Sequence, residues 1–211
     1  MKPVLAVDID GTLGNYHDHF TNFCCMYFQR EFDFGYVGEQ ENFEDFLGLT
    51  REDYRAAKLA YRQGGMKRSM VPYSGAARLL DMAAKLDVEV WVATTRPYQR
   101  LDNIDPDTRF WMSHWNFKYH AMLYGDDKYD QLNMHVDNER VIMLIDDLHS
   151  QVVKADKIWG TRVWMVERKH NGWDRQLGFE GMKWLPQCLE MDLAADALYE
   201  AHHEWEAEHA H

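Results

Sequence analysis

The chain has 211 residues, room for one α/β domain with an insertion but short for two full domains. Its 46% hydrophobic and 14% aromatic content implies a packed globule and excludes a disordered chain. A formal net charge of -12 argues against a broad electrostatic grip on nucleic acid, which needs Lys and Arg to displace phosphate counterions.

The first apolar run after Met1-Lys2-Pro3 has a strand's length, so neither a leader segment nor a membrane span is expected. Cys24, Cys25 and Cys188 make no disulfide framework, and Cys24-Cys25 lies among aromatics as core packing. A reducing, cytoplasmic setting is the expectation.

In chain order, β-branched and apolar runs predict strands over Pro3–Asp8, Val88–Thr94, His120–Tyr124, Val141–Asp146 and Arg162–Val166. Between them lie helical patterns. One places Ala76, Leu79, Leu80 and Ala83 on a single face with Ser74 as N-cap. Another starts from Asp105 as N-cap and Pro106 at the first helical position, before Phe110, Trp111, His114 and Trp115. A third runs from His149 to Trp159. This alternation predicts a doubly wound, mostly parallel sheet covered on both faces.

Residues 14–72 break the alternation. Phe20, Phe23, Cys24, Tyr27 and Phe28 fit one helix; Thr50-Arg-Glu-Asp53 resembles a capping box that opens a second, with Tyr54, Ala57 and Tyr61 along one side and Gly64-Gly65 at its end. An insertion after the first strand sits over the carboxyl ends of the strands, where open α/β sheets bind ligands, and so predicts a small helical cap. The expected division is an α/β core over 1–13 and 73–185, a cap over 14–72, and an acidic C-terminal helix over 186–211. That helix spaces Leu189, Leu193, Ala197, Ala201 and Trp205 for one face, to pack on the core or on a second copy of the chain. Its histidines, 202, 203, 209 and 211, read either as a solvated helix end or as metal ligands.

The first strand ends in Asp8-Ile-Asp-Gly-Thr12. Side chains two apart share a face, so Asp8 and Asp10 converge while Ile9 returns to the core. Gly11 permits a tight turn that Thr12 can fix, and a plain Asx turn is the alternative. The other strand ends add Thr94-Thr95-Arg96, Lys128 just past the third strand, and Asp146-Asp147 after the fourth. Carboxylates, hydroxyls and a lysine gathered at one rim carry a desolvation cost that points to chemistry.

In that order, Asp8-Ile-Asp-Gly-Thr-Leu13, Thr94, Lys128 and Asp146-Asp147 resemble the four motifs of the haloacid dehalogenase superfamily of phosphohydrolases. The resemblance implies a Rossmann-like fold and a magnesium-dependent phosphatase. Asp8 would attack phosphorus, and Asp10 would act as general acid and base with its pKa raised by crowding carboxylates. Thr94 and Lys128 would hold the phosphoryl group. Magnesium would be ligated by Asp8, the Asp10 carbonyl and Asp146, with Asp147 joining through water or orienting the shell. Thr12, Thr95, Arg96 and the cap aromatic Phe20 are candidates for binding substrate.

The insertion is similar to the small cap of the 5′(3′)-deoxyribonucleotidases, as are Met70-Val-Pro-Tyr-Ser-Gly-Ala76, Val92-Ala-Thr-Thr-Arg-Pro97 and Val166-Glu-Arg-Lys-His-Asn171, which implies a nucleotide substrate. Asp126 departs from that pattern, which carries Arg two positions before the motif lysine. Thr94-Thr-Arg96, Leu144-Ile-Asp-Asp147, Gln151-Val-Val153 and Trp164 are similar to the phosphatase half of phage polynucleotide kinase-phosphatases, which implies a nucleic acid 3′-phosphate. A catalytically silent nucleotide binder is the third reading. Arg96 reads equally as a phosphate or ribose clamp and as a surface ion pair. Lys169, His170 and Asn171 read as loop residues within reach of the rim. His17 and His19 read as hinge residues or as catalytic groups.

Overall fold

The computed structural model describes residues 1–37, 42–97, 100–168, 170–171 and 187–209. Strands β1 (Val4–Val7), β2 (Glu89–Thr94), β3 (Ala121–Tyr124), β4 (Val141–Asp146), β5 (Val163–Val166) and β6 (Gln187–Leu189) form one sheet in the order β3-β2-β1-β4-β5-β6. Every pairing is parallel. β1 and β4 are central and buried on both faces, as expected where helices cover a parallel sheet.

Helices α1 (Tyr16–Phe28), α2 (Phe43–Phe46) and α3 (Arg51–Gln63) lie in the insertion between β1 and β2. Then come α4 (Ala76–Lys85), α5 (Ile104–His114), α6 (Lys128–His135), α7 (His149–Trp159) and α8 (Ala194–His209). The side chains of Leu5, Val7, Leu79, Trp111, Met143 and Leu198 share a core on one face of the sheet. Ala6, Leu132, Leu144, Val152 and Trp159 share one on the other.

The cap has its own core of Phe20, Cys24, Phe43, Leu47, Leu49, Tyr54, Ala57 and Tyr61. α3 starts at the predicted capping box, where the Asp53 amide donates to the Thr50 hydroxyl at 3.1 Å and Glu52 and Asp53 face the helix dipole. Tyr54, Ala57 and Tyr61 are its buried stripe, and Gly64 caps its end. The two ends of the insertion are tied together at the core, with Asn15 N donating to Val71 O at 2.9 Å and Tyr73 N to Leu13 O at 2.8 Å.

Four local expectations need correction. Ser74 does not cap α4; Gly75 holds that position at φ +84, where a Cβ would lie 2.5 Å from the Met191 carbonyl oxygen, and Ser74 donates instead to Asp192 at 3.4 Å. α5 begins one residue before Asp105, which is taken up by Arg109 at 2.8 Å and by Tyr124 at 2.8 Å. The terminal segment is not all helix. Gln187–Leu189 adds β6 beside β5, and α8 begins at Ala194.

The face of α8 is also displaced from the prediction. Ala194, Ala195, Leu198 and His202 are buried and Leu193 is exposed, while Ala197, Ala201 and Trp205 pack only partly against the core. Cys24 is buried and Cys25 half-buried, both as free thiols. Among the described residues no helix is long and apolar enough to cross a membrane. Lys169, His211 and the Cys188 side chain lie outside the described residues.

Candidate active site

The strand ends deliver the predicted carboxylates to one place. Asp8 follows β1, Asp146 ends β4, and the carboxylate oxygens of Asp8, Asp146 and Asp147 lie within 4.8 Å of one another. All three residues are buried. Gly11 makes this possible, because at φ +97 it turns the chain back under Asp147, whose carboxylate would collide with any Cβ there.

Lys128, at the first position of α6, is fully buried between two of them. Its Nζ donates to Asp8 Oδ1 at 2.7 Å and lies 2.6 Å from Asp146 Oδ2. The Tyr129 hydroxyl donates to the same Asp146 oxygen at 2.5 Å, and the Leu148 amide holds the other at 2.8 Å. Burial raises the Asp8 carboxyl well above its ordinary range; Lys128 opposes this, while Asp146 and Asp147 add to it. Burial works against the charge of Lys128, but Asp146 and Asp8 hold it protonated beyond its usual range.

Asp147 is gripped from both sides, by the Thr12 hydroxyl at 3.1 Å on Oδ1 and by His170 Nε2 at 2.6 Å on Oδ2. Burial alone would raise its carboxyl, but His170 pulls it below the usual value. Asn171 donates to the Asp147 carbonyl at 2.8 Å and so fixes the loop that carries His170.

Asp10 diverges from expectation. Its carboxylate turns to Arg96, which donates Nη2 to Oδ1 at 2.6 Å and Nε to Oδ2 at 3.0 Å, and to Lys67. Burial by itself would raise the Asp10 carboxyl, yet Arg96 and Lys67 hold it far below the ordinary range. A rise is found instead on Asp8, chiefly from burial with Asp146 and Asp147 adding to it, and Asp10 is ionised. Its side chain lies outside the cluster formed by Asp8, Asp146 and Asp147.

Arg96 is neither a surface pair nor free for a substrate. It is 2% exposed, and its remaining nitrogen donates to the Thr108 hydroxyl at 3.0 Å. Thr94 is buried at the end of β2, its hydroxyl accepting from the Arg96 amide at 3.4 Å. Thr95 and Arg96 line a cleft of about 570 Å³ with Arg62, Arg100 and Tyr124. Phe20 does not bind substrate in this arrangement. It is wholly buried in the cap core, edge-on to Tyr61 at 5.1 Å and to Tyr54 at 5.7 Å, with no face left for a ligand.

His19 pairs with the Tyr61 hydroxyl at 2.7 Å and with Ser69 at 3.2 Å inside the cap. His17 packs against His170, and burial together with that neighbour pushes it down to about 3. Sequence reading missed Lys67, Tyr129 and Arg168. Lys67 comes from the 3-10 turn Met66–Ser69 at the cap exit and carries no motif. The Arg168 guanidinium donates to the carbonyls of Gly11 and Thr12, both at 2.7 Å, clamping the loop after β5 onto the loop after β1. Tyr129 adjoins Lys128, and that adjacency was the one available signal.

No family model and no curated protein matches the chain. Solved structures do. A HAD family hydrolase from Deinococcus radiodurans R1, with bound phosphate and sodium, superposes with a TM-score of 0.61 at 16% identity, over 95% of this chain and 96% of its own. CbbY from Rhodobacter sphaeroides, a D10N mutant in complex with xylulose-(1,5)bisphosphate, gives 0.53 at 16% identity, over 91% and 96%. A HAD-superfamily hydrolase of subfamily IA from Geobacter sulfurreducens gives 0.54 at 10% identity, over 93% and 96%. The chain thus has the fold of the haloacid dehalogenase-type hydrolases, cap helices included.

Proposed function

We propose that the protein is a magnesium-dependent phosphomonoesterase that hydrolyses a small phosphate ester through an aspartyl-phosphate on Asp8. The observation that carries this reading is the buried Asp8–Lys128–Asp146 constellation. Its carboxylates, with Asp147, form an all-oxygen donor set suited to a hard divalent cation. Magnesium held by Asp8, Asp146 and the Asp10 carbonyl would neutralise charge on the phosphate oxygens.

The steps by this chain's own residues follow. An Asp8 oxygen attacks phosphorus as the ester bond breaks, and Asp10 delivers a proton to the leaving oxygen. Asp10 then takes a proton from the water that attacks the aspartyl-phosphate, releasing phosphate and restoring Asp8. Thr94 and Lys128 orient the phosphoryl group. Asp10 as it stands is ionised and clamped, so taking up its proton requires loosening from Lys67. Lys67 belongs to the cap exit, so cap movement gates the acid.

The resemblance in the sequence favours a nucleotide. One observation favours a sugar phosphate instead: the cap aromatics Phe20, Phe43 and Tyr61 are spent on the cap core and offer a base little to stack on. The CbbY neighbour with its bound bisphosphate fits that second reading. Phosphate release from nucleoside 5′- and 3′-monophosphates, sugar phosphates and 3′-phosphorylated oligonucleotides, with and without chelator, separates these substrates. Turnover undiminished by chelation overturns the metal role, and no turnover of any ester overturns the reading.

A further inference from the structure

The loop after β5 is built onto the site with more care than a connecting loop requires. Arg168 clamps it to the Gly11 and Thr12 carbonyls, both at 2.7 Å, and stacks over the Tyr73 ring at 3.5 Å. Asn171 closes it, accepting from the Arg168 amide at 2.7 Å and donating to the Val166 and Asp147 carbonyls at 2.8 Å. What this frame presents is His170. Its side chain is 9% exposed and its Nε2 lies 2.6 Å from Asp147 Oδ2.

The other face of His170 meets the cap. The His17 ring, in the first turn of α1, lies 4.2 Å from the His170 ring between centroids. His17 is itself walled by Phe43 at 4.8 Å and Tyr36 at 5.3 Å. Its Nδ1 is shut off from solvent and has no hydrogen-bond partner among the described residues, a cost that a helix-start residue facing water would avoid. Asp147, His170 and His17 thus form one line running from the carboxylate cluster into the cap.

We propose that His170 is a positioning residue for the cation cradle, and that its contact with His17 couples cap closure to cation binding. The inference rests on the cradle reading above. With Thr12 holding Oδ1 and His170 holding Oδ2, both Asp147 oxygens are committed, so His170 fixes where Asp147 presents its charge to a cation held by Asp8 and Asp146. Because the cap supplies one wall of His170, an ordered cradle favours the closed cap and the closed cap favours the cradle, by the reciprocity of linkage.

The test uses the full chain and magnesium alone. Titration calorimetry gives the Mg²⁺ affinity of wild type, His170→Ala, His170→Gln and His17→Ala. Hydrogen exchange follows the start of α1 with and without Mg²⁺. Removing such an outer partner costs about tenfold or more in metal affinity, so both alanine variants should weaken Mg²⁺ by that factor, while His170→Gln, which keeps an N–H donor, recovers most of it. Mg²⁺ should slow exchange at the start of α1 in wild type and not in His170→Ala. Wild-type affinity in His170→Ala, or Mg²⁺ protection of α1 surviving there, overturns the coupling and leaves the phosphatase reading standing. Equal losses in His170→Ala and His170→Gln reduce His170 to a packing role. Failure of wild type to bind Mg²⁺ at all overturns the cradle reading and this inference together.

Discussion

Asp8 and Asp10 stand two residues apart and occupy opposite electrostatic surroundings. Around Asp8, three buried carboxylates crowd together, two of them paired with Lys128 and the third held by Thr12 and His170. Around Asp10, one carboxylate is met by two cations, Arg96 and Lys67. The first group has more carboxylates than ammonium groups, and the second sets one carboxylate against a guanidinium and a lysine that burial pulls down to about 7, with only Ile9 between them. On the proposed function, a divalent cation would repair the first. Burial is the common factor, since low dielectric makes both imbalances expensive until a ligand corrects them. The same burial lifts the Asp8 carboxyl and leaves Asp10 low, because cations and not solvation decide the second case.

The comparison breaks most visibly at Asp8 itself. Asp8→Asn keeps the shape and removes the proposed nucleophile, so phosphate release should fall on the order of 10⁴-fold or more while the chain still folds. Residual turnover near wild type moves the nucleophile elsewhere. Lys128→Met attacks the balance of the same cluster. Breaking a buried pair by removing one partner costs about 3–5 kcal/mol, read from urea unfolding. Part of that loss should return on adding Mg²⁺. It should also shrink as pH falls, because Asp8 and Asp146, with carboxyls raised in the folded state, bind more protons there than when unfolded.

The cation-rich side is sharpened by Lys67→Met. Asp10 then keeps Arg96 alone and its carboxyl climbs toward the ordinary range, so the acid limb of the rate profile moves to higher pH. Because Lys67 is the clamp that has to loosen before Asp10 takes up its proton, kcat at the optimum should not fall while the limb moves. An unmoved limb would mean that Lys67 does not set the state of Asp10.

Which of these features the sequence carried follows from what periodicity encodes. Asp8 and Asp146 were legible because each closes a buried apolar run, where a charge carries a desolvation cost. Thr50-Arg-Glu-Asp53 was legible because capping chemistry is local. The partner of Asp10 was not, since Lys67 lies 57 residues away on a short 3-10 turn without a pattern. Phe20 was misread because an aromatic-rich helix does not announce which ring faces the cleft; packing against Tyr54 and Tyr61 decided it. β6 was missed because three residues of strand carry no alternation to detect. The loop after β5 resembled ordinary solvated loop until Arg168 and Asn171 tied it down.

The smallest effect concerns the cap side of the Asp147–His170–His17 line. His17 has its pKa lowered from 6.5 to about 3 by burial and by His170, so it is neutral in the folded protein at pH 6 and charged in much of the unfolded chain. Between those two values the unfolded state binds the extra proton, and stability therefore rises with pH across the window and is lost as pH falls from 6.5 toward 3. His17→Asn removes that proton uptake from both states. Groups remote from His17 contribute alike to each. Lowering the pH from 6.5 to about 4 should therefore cost wild type more in melting temperature than it costs His17→Asn. Parallel curves over that range would place His17 in contact with water, and with it would go the closed line between the cap and the carboxylate cluster.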